Sequence, residues 1–98
     1  MSAYVIARVD VTDLEKWKEY AAAAGPSSVP FGGEYIVRGG KVEGLENDED
    51  EGRRVVVLKF PDMDSARNWY HSKAYTEARK IRANAGHARF MLVEGYDG

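Results

Sequence analysis

Cysteine is absent from all 98 residues, which excludes disulfides, thiol nucleophiles and thiolate metal ligands. Long apolar runs are missing as well. No window approaches the roughly 18 consecutive apolar residues of a membrane-spanning helix, and MSAYVIARVD has neither the basic flank nor the apolar stretch of a secretory signal. The expectation is a soluble, cytoplasmic protein. Excess positive charge is also lacking: 14 basic against 16 acidic side chains leave a formal net charge of -2. Such a chain has no general attraction for phosphate backbones or anionic membranes, so neither nucleic acid nor membrane is expected as a partner. Histidine is scarce. His71 and His87 are separated by a helical segment, without His or Asp neighbours at ligand spacing, and no metal or cofactor is expected. There is no Ser-His-Asp order and no dinucleotide fingerprint, and the glycines of GGKVEG lack the strand-to-helix setting that phosphate binding needs.

What is present suits a small globular fold. Hydrophobic residues at 44% and charged residues at 31% let the chain bury one modest core, and residues 1–98 read as a single domain. AYVIARV, Ala3 to Val9, is β-branched and aromatic, so it predicts a first strand. In VTDLEKWKEYAAAAG, Thr12 and Glu15 have capping-box spacing and Leu14, Trp17, Ala21 and Ala24 share a helical face. Gly25-Pro26 is expected to end that helix, with PSSVPFGG as a loop holding at most one helical turn. Glu34 to Arg38 predicts a second strand, followed by Gly39-Gly40 and a segment with five acids between Glu46 and Glu51, read as a solvated loop.

RRVVVLKF, Arg53 to Phe60, is the most apolar strand and should lie centrally. Asp62 is placed to cap a helix with Met63, Ala66, Trp69 and Tyr70 inward, and Ser72 a second helical stretch with Tyr75, Ala78, Ile81, Arg82 and Ala85 along one side. Gly86 closes that stretch. His87 to Gly95 gives the last strand, and the tail is expected to fray. The order β-α-β-β-α-β is the ferredoxin-like α+β pattern, an antiparallel sheet with helices on one face. Because Val55 to Leu58 are apolar on both registers, both sheet faces should be covered. The simplest cover for the second face is the sheet of another copy, in a two-fold homodimer.

These residues resemble a known family. AYVIARVDVTD, GGEYIVRGG, RRVVVLKFPDMDSARNWYHSKAY, Arg82 and the closing MLVEG together look like DUF1330 proteins, small members of the dimeric α/β-barrel superfamily. The resemblance covers nearly the whole chain, and VRGG and the FP...WY.S..Y run are its most specific parts. It implies a ferredoxin-like subunit dimerising through its sheet, and it implies no activity. The superfamily includes cofactor-independent monooxygenases, a lactone isomerase, haem enzymes and ligand-sensing domains, so the fold leaves function open. The sequence departs from the family pattern at PSSVPF, where relatives extend helix one, and at His71, where relatives often carry asparagine.

Several groups could carry chemistry. Simple alternation places Arg38 with Glu34 and Ile36, and Tyr35 and Val37 opposite. Its planar fork suits a carboxylate, either that of a small organic acid or a protein partner such as Glu34, Asp10 or Glu94. Arg82 shares a helical side with Tyr75 and Ile81; it either converges with Arg38 or snorkels past the helix edge. Tyr20, Trp69, Tyr70 and Tyr75 form an inward aromatic set, core or cleft wall. The resulting expectation is a dimer that binds or transforms a small aromatic or carboxylic compound between sheet and helices without a cofactor, using Arg38, Arg82, Tyr20, Trp69, Tyr70 and Tyr75. The alternative is a non-catalytic interaction module that presents its acidic loop to a basic partner.

Overall fold

The first strand, β1 (Ala3–Val11), alternates strictly. Ala3, Val5, Ala7 and Val9 are buried on one face, while Tyr4, Ile6 and Arg8 lie half-buried on the other. This computed structural model describes residues 1–46 and 49–96. β1 is flanked by β3 (Arg54–Phe60) and β4 (Gly86–Glu94), and β2 (Glu34–Arg38) pairs with β3, giving an all-antiparallel sheet in the order β2-β3-β1-β4. Helices α1 (Leu14–Ser28), α2 (Met63–Tyr70) and α3 (Lys73–Arg82) pack on the face of the buried β1 residues. The chain is therefore an α+β ferredoxin-like fold whose second helical region is broken in two. No helix among the described residues is long and apolar enough to cross a membrane.

The caps of α2 and α3 form as their sequences predict. Asp62 accepts from the Ser65 amide at 2.7 Å, and Ser72 Oγ accepts from the Tyr75 amide at 3.2 Å. Helix α1 differs in three ways. Its N-cap is Asp13, which accepts from the Lys16 amide at 3.1 Å, in place of the Thr12–Glu15 box. Leu14 remains 55% exposed, and the buried face is carried by Trp17, Tyr20 and Ala24. The helix also passes through Gly25-Pro26 to Ser28, then tightens into a 3-10 turn at Val29–Phe31. Proline removes one helical hydrogen bond. Here the hydroxyls of Ser27 and Ser28 donate to the carbonyls of Ala24 and Gly25, and both serines are buried, which holds the extra turn.

The core lies between helices and sheet around Trp69, Tyr75 and Phe60, with ring centroids 5.3 Å apart for Phe60–Trp69 and 4.1 Å for Trp69–Tyr75. Burying each such ring is worth about 1.5–3 kcal/mol. Small residues Ala3, Ala7, Ala66 and Ala78 give these rings room. The opposite sheet face carries Ile6, Val55, Val57, Met91 and Val93, and no helix among the described residues packs on it; Met91 and Val93 are 40% and 41% exposed.

The acidic segment is only partly a solvated loop. Asn47 and Asp48 lie outside the described residues, but Asp50 folds back onto the open sheet face, 2.7 Å from Arg89 Nη2 and 3.7 Å from both Arg8 Nη1 and Arg53 Nη1. Arg8 and Arg89 are directly opposed across β1 and β4, a like-charge pairing that destabilises a sheet unless an anion bridges it. Asp50 supplies that anion, so part of the acidic run serves the chain's own sheet.

Candidate functional site

Arg38 ends β2, and strict alternation would turn it toward the open face with Glu34 and Ile36. A β-bulge overrides that expectation. Tyr35 stands opposite Leu58 and Arg38 opposite Val56, with the register shift between Tyr35 and Val37. Both partners belong to the helix-facing side of β3, so the extra residue, Ile36, brings Arg38 round to the side of Tyr35. The guanidinium lies over the Tyr35 ring at 4.4 Å, a cation–π contact that holds it without a carboxylate. Among the described residues Arg38 has no ion pair with Glu34, Asp10 or Glu94.

A second arginine joins it from β3. Arg54 sits opposite buried Val9, on the same face as Val56, Leu58 and Phe60. Its guanidinium lies flat against Gly39, where a Cβ would come within 2.6 Å of Arg54 Cζ, and it approaches the Trp17 ring at 5.7 Å. Gly39 also has φ +72, a conformation that side chains with a Cβ disfavour. Gly39, the first of the two glycines after β2, thus makes room for Arg54, while Gly40 faces open space.

Arg38, Arg54, Trp17, Tyr20, Tyr35 and Trp69 line one cavity between α1 and the sheet, of about 30 Å³, which holds no more than one or two waters. Arg38 is the only exposed residue of the lining, so it marks the mouth. The lining contains no carboxylate and no imidazole. Three buried side-chain nitrogens among the described residues lack a hydrogen-bond partner, and two of them, Arg54 Nε and Trp17 Nε1, belong to this lining. Buried donors are paired in most proteins. Two of these unpaired donors therefore belong to residues that border one cavity.

The remaining expected residues fall at graded distances from it. Trp69 is at the wall, its indole N–H donating to Ser27 Oγ at 3.0 Å. Tyr75 is fully buried behind Tyr20, with their hydroxyls 2.8 Å apart, and Arg82 Nη1 donates to the Tyr75 hydroxyl at 3.1 Å while its guanidinium covers Phe90 at 4.2 Å. Arg82 therefore neither snorkels nor meets Arg38 directly. Tyr70 lies away from the cavity. It stacks with Tyr75 and Arg79 and lines a separate groove of about 310 Å³ between α2 and the edge strand β4, beside Arg67 and His71. Arg67 there is already paired with Asp64 at 3.0 Å, and none of the buried unpaired donors among the described residues belongs to that groove.

Desolvation dominates the tyrosine ionisations. Burial raises the pKa of Tyr20, against the Tyr75 hydrogen bond and the Arg82 charge, and that of Tyr35, against the charges of Arg38 and Arg54. Tyr75 is raised furthest, again mainly by burial. All three stay neutral hydroxyls at physiological pH.

Arg54, Trp17 and Tyr35 were not expected at the site. Counting back from Phe60 in steps of two passes Leu58 and Val56 and reaches Arg54, a signal hidden because Val55 and Val57 are apolar as well.

The match to a family profile settles the lineage: Domain of unknown function (DUF1330), over residues 2–96. The chain belongs to the DUF1330 family. Among solved structures this DUF1330 chain is similar to RPA0582 of Rhodopseudomonas palustris, a protein of unknown function, at 18% identity and TM-score 0.80, over 99% of this chain and 84% of that one. It is also similar to SnoaB, a cofactor-independent oxygenase from Streptomyces nogalater, at 13% identity and TM-score 0.67, over 99% of this chain and 95% of the other. A Nitrosomonas europaea protein described as a candidate antibiotic biosynthesis monooxygenase aligns at 14% identity and TM-score 0.66, over 98% and 91% of the two chains. No curated protein matches the sequence. At these identities the likeness establishes the DUF1330 fold and leaves the chemistry to the residues.

Proposed function

We propose that this chain holds a small organic acid, head first, in the cavity between α1 and the sheet. The observation that carries the reading is the pair of orphaned donors, Arg54 Nε and Trp17 Nε1, in a lining without carboxylates. The planar guanidinium fork of Arg54 matches the geometry of a planar oxyanion. The enclosed volume, about 30 Å³, takes only a carboxylate-sized group. The body of the ligand then lies at the mouth, where Arg38 and Tyr35 offer a cation and an aromatic face, which suits an aromatic acid.

The lining favours binding and polarisation over proton abstraction. It has no imidazole or carboxylate to act as base, and its tyrosines hold their protons more tightly than free phenols. What it can do is stabilise negative charge that develops on an oxygen of the bound acid. SnoaB, a cofactor-independent oxygenase of the same fold, supports reading such chemistry as side-chain chemistry alone. The homodimer is part of the same proposal, formed through the open face of the sheet.

The test is titration of the purified protein with sodium benzoate, followed by backbone amide NMR. Benzoate is expected to shift the amides of Arg38, Gly39 and Trp17. Arg54→Met and Arg38→Met are each expected to weaken it by roughly tenfold or more, the usual size of a lost charged hydrogen bond. Unchanged spectra in the wild type would end the reading.

A further inference from the structure

Arg82, Tyr75 and Tyr20 form a hydrogen-bonded chain whose direction follows from counting protons. Arg82 Nη1 lies 3.1 Å from the Tyr75 hydroxyl, and that hydroxyl is 2.8 Å from the Tyr20 hydroxyl. A guanidinium has donors only, so the Tyr75 oxygen accepts from it. Tyr75 has no exposed surface, and among the described residues its own proton meets a single acceptor, the Tyr20 oxygen. If Tyr20 donated instead, the Tyr75 proton would be buried without a partner, which costs more than one hydrogen bond returns. Tyr75 therefore donates to Tyr20. The Tyr20 proton is left over, and Tyr20 lines the cavity.

We propose that Arg82, Tyr75 and Tyr20 are a one-way donor relay ending in the cavity, in which Tyr20 donates to an oxygen of the bound acid and Arg82 is a positioning residue without contact to it. The inference rests on the cavity being an acid site and adds the third donor, beside Arg54 and Trp17. A charged donor at the far end polarises each hydroxyl in turn, so the last one donates more strongly than an isolated phenol would. Phe90 fixes the start of the relay, since the Arg82 guanidinium lies 4.2 Å from its ring centre. Burial keeps both hydroxyls protonated. The ligand class follows: the relay favours a group that accepts hydrogen bonds, such as a carboxylate or enolate oxygen, and disfavours an ammonium or another pure donor.

Two measurements on the full chain decide it. In benzoate titrations, Tyr20→Phe, Tyr75→Phe and Arg82→Met are each expected to weaken binding by roughly tenfold. Adding Arg82→Met to Tyr20→Phe should weaken it no further, because members of one unit do not add. Arg82→Lys, which keeps a donor, should restore part of the affinity. Arg82→Met combined with Arg54→Met should lose the product of the two effects. Full affinity in Tyr20→Phe, or additive losses from Tyr20→Phe and Arg82→Met, would overturn the relay and leave the acid site standing. The second measurement needs no ligand: with tyrosine labelled at Cζ, the Tyr20 signal, assigned by its loss in Tyr20→Phe, should move in Arg82→Met and return toward the wild-type position in Arg82→Lys. An unmoved signal overturns the relay whatever benzoate does, and a moved signal without benzoate binding overturns only the acid-site reading.

Discussion

Gly39 links backbone conformation to the candidate site at the scale of one residue. Alanine there would add strain at φ +72 and place a methyl group 2.6 Å from Arg54 Cζ. The guanidinium is the flexible partner, so it yields and leaves Trp17. Gly39→Ala is therefore expected to lose only about 1–2 kcal/mol of stability from the left-handed backbone, yet to weaken benzoate as much as Arg54→Met. A variant with lowered denaturation midpoint and full affinity would contradict this. The buried tyrosines set the alkaline limit. Their folded pKa values are raised, so the unfolded chain releases phenolic protons near pH ~10 while the folded chain retains them. Stability from this source is complete below that pH and falls as pH rises beyond it. Tyr75→Phe should flatten the alkaline fall of the melting temperature, and an unchanged slope would show that Tyr75 ionises without unfolding. Arg38 and the tyrosines were legible in the sequence as residue types with spare donors. The relay was not, because it depends on hydroxyls from α1 and α3 meeting at 2.8 Å, 55 residues apart in the chain.

The elements show where pattern reading works and where side chains overrule it. β1 and the caps of α2 and α3 follow from alternation and from Asp62 and Ser72, local signals with no competitor. β2 follows as a segment, but the bulge at Ile36 turns Arg38 from the open face to the helix side, and a single extra residue leaves no trace in composition. Helix α1 was expected to stop at Gly25-Pro26. It continues because Ser27 and Ser28 bond to the preceding turn and because Ser27 also receives the Trp69 indole N–H at 3.0 Å. That contact ties the end of α1 to α2 at the cavity wall. Ser27→Ala should strand the buried Trp69 donor and cost about 1–3 kcal/mol, read as a lower urea midpoint with altered Trp69 fluorescence. A loss within error would mean that the helix end is held by packing alone.

The whole molecule has one covered sheet face and one open face, and the sequence signalled this by making β1 and β3 apolar on both registers. Ile6 and Val57 are directly paired at the middle of the open face, with Met91 beside Ile6 on β4. A lone chain leaves Ile6 and Val57 half-buried and Met91 40% exposed. A second copy applied through a two-fold axis would bury the same patch on both partners, and such isologous contacts close without forming filaments. The polar end of the face is partly compensated, since Asp50 bridges Arg8 and Arg89, so a dimer would bury these arginines with a carboxylate between them. Sedimentation at micromolar concentration is expected to give a dimer. Ile6→Lys, which sets a charge at the centre of the contact, should give a folded monomer, whereas Leu14→Lys, on the exposed start of α1, should leave the dimer intact. Asp50→Asn should weaken the dimer by restoring repulsion between Arg8 and Arg89, and added salt should recover part of the loss by screening it. A wild type that sediments as a monomer would leave the open face for a different partner, and a dimer indifferent to Ile6→Lys would place the contact elsewhere on the molecule.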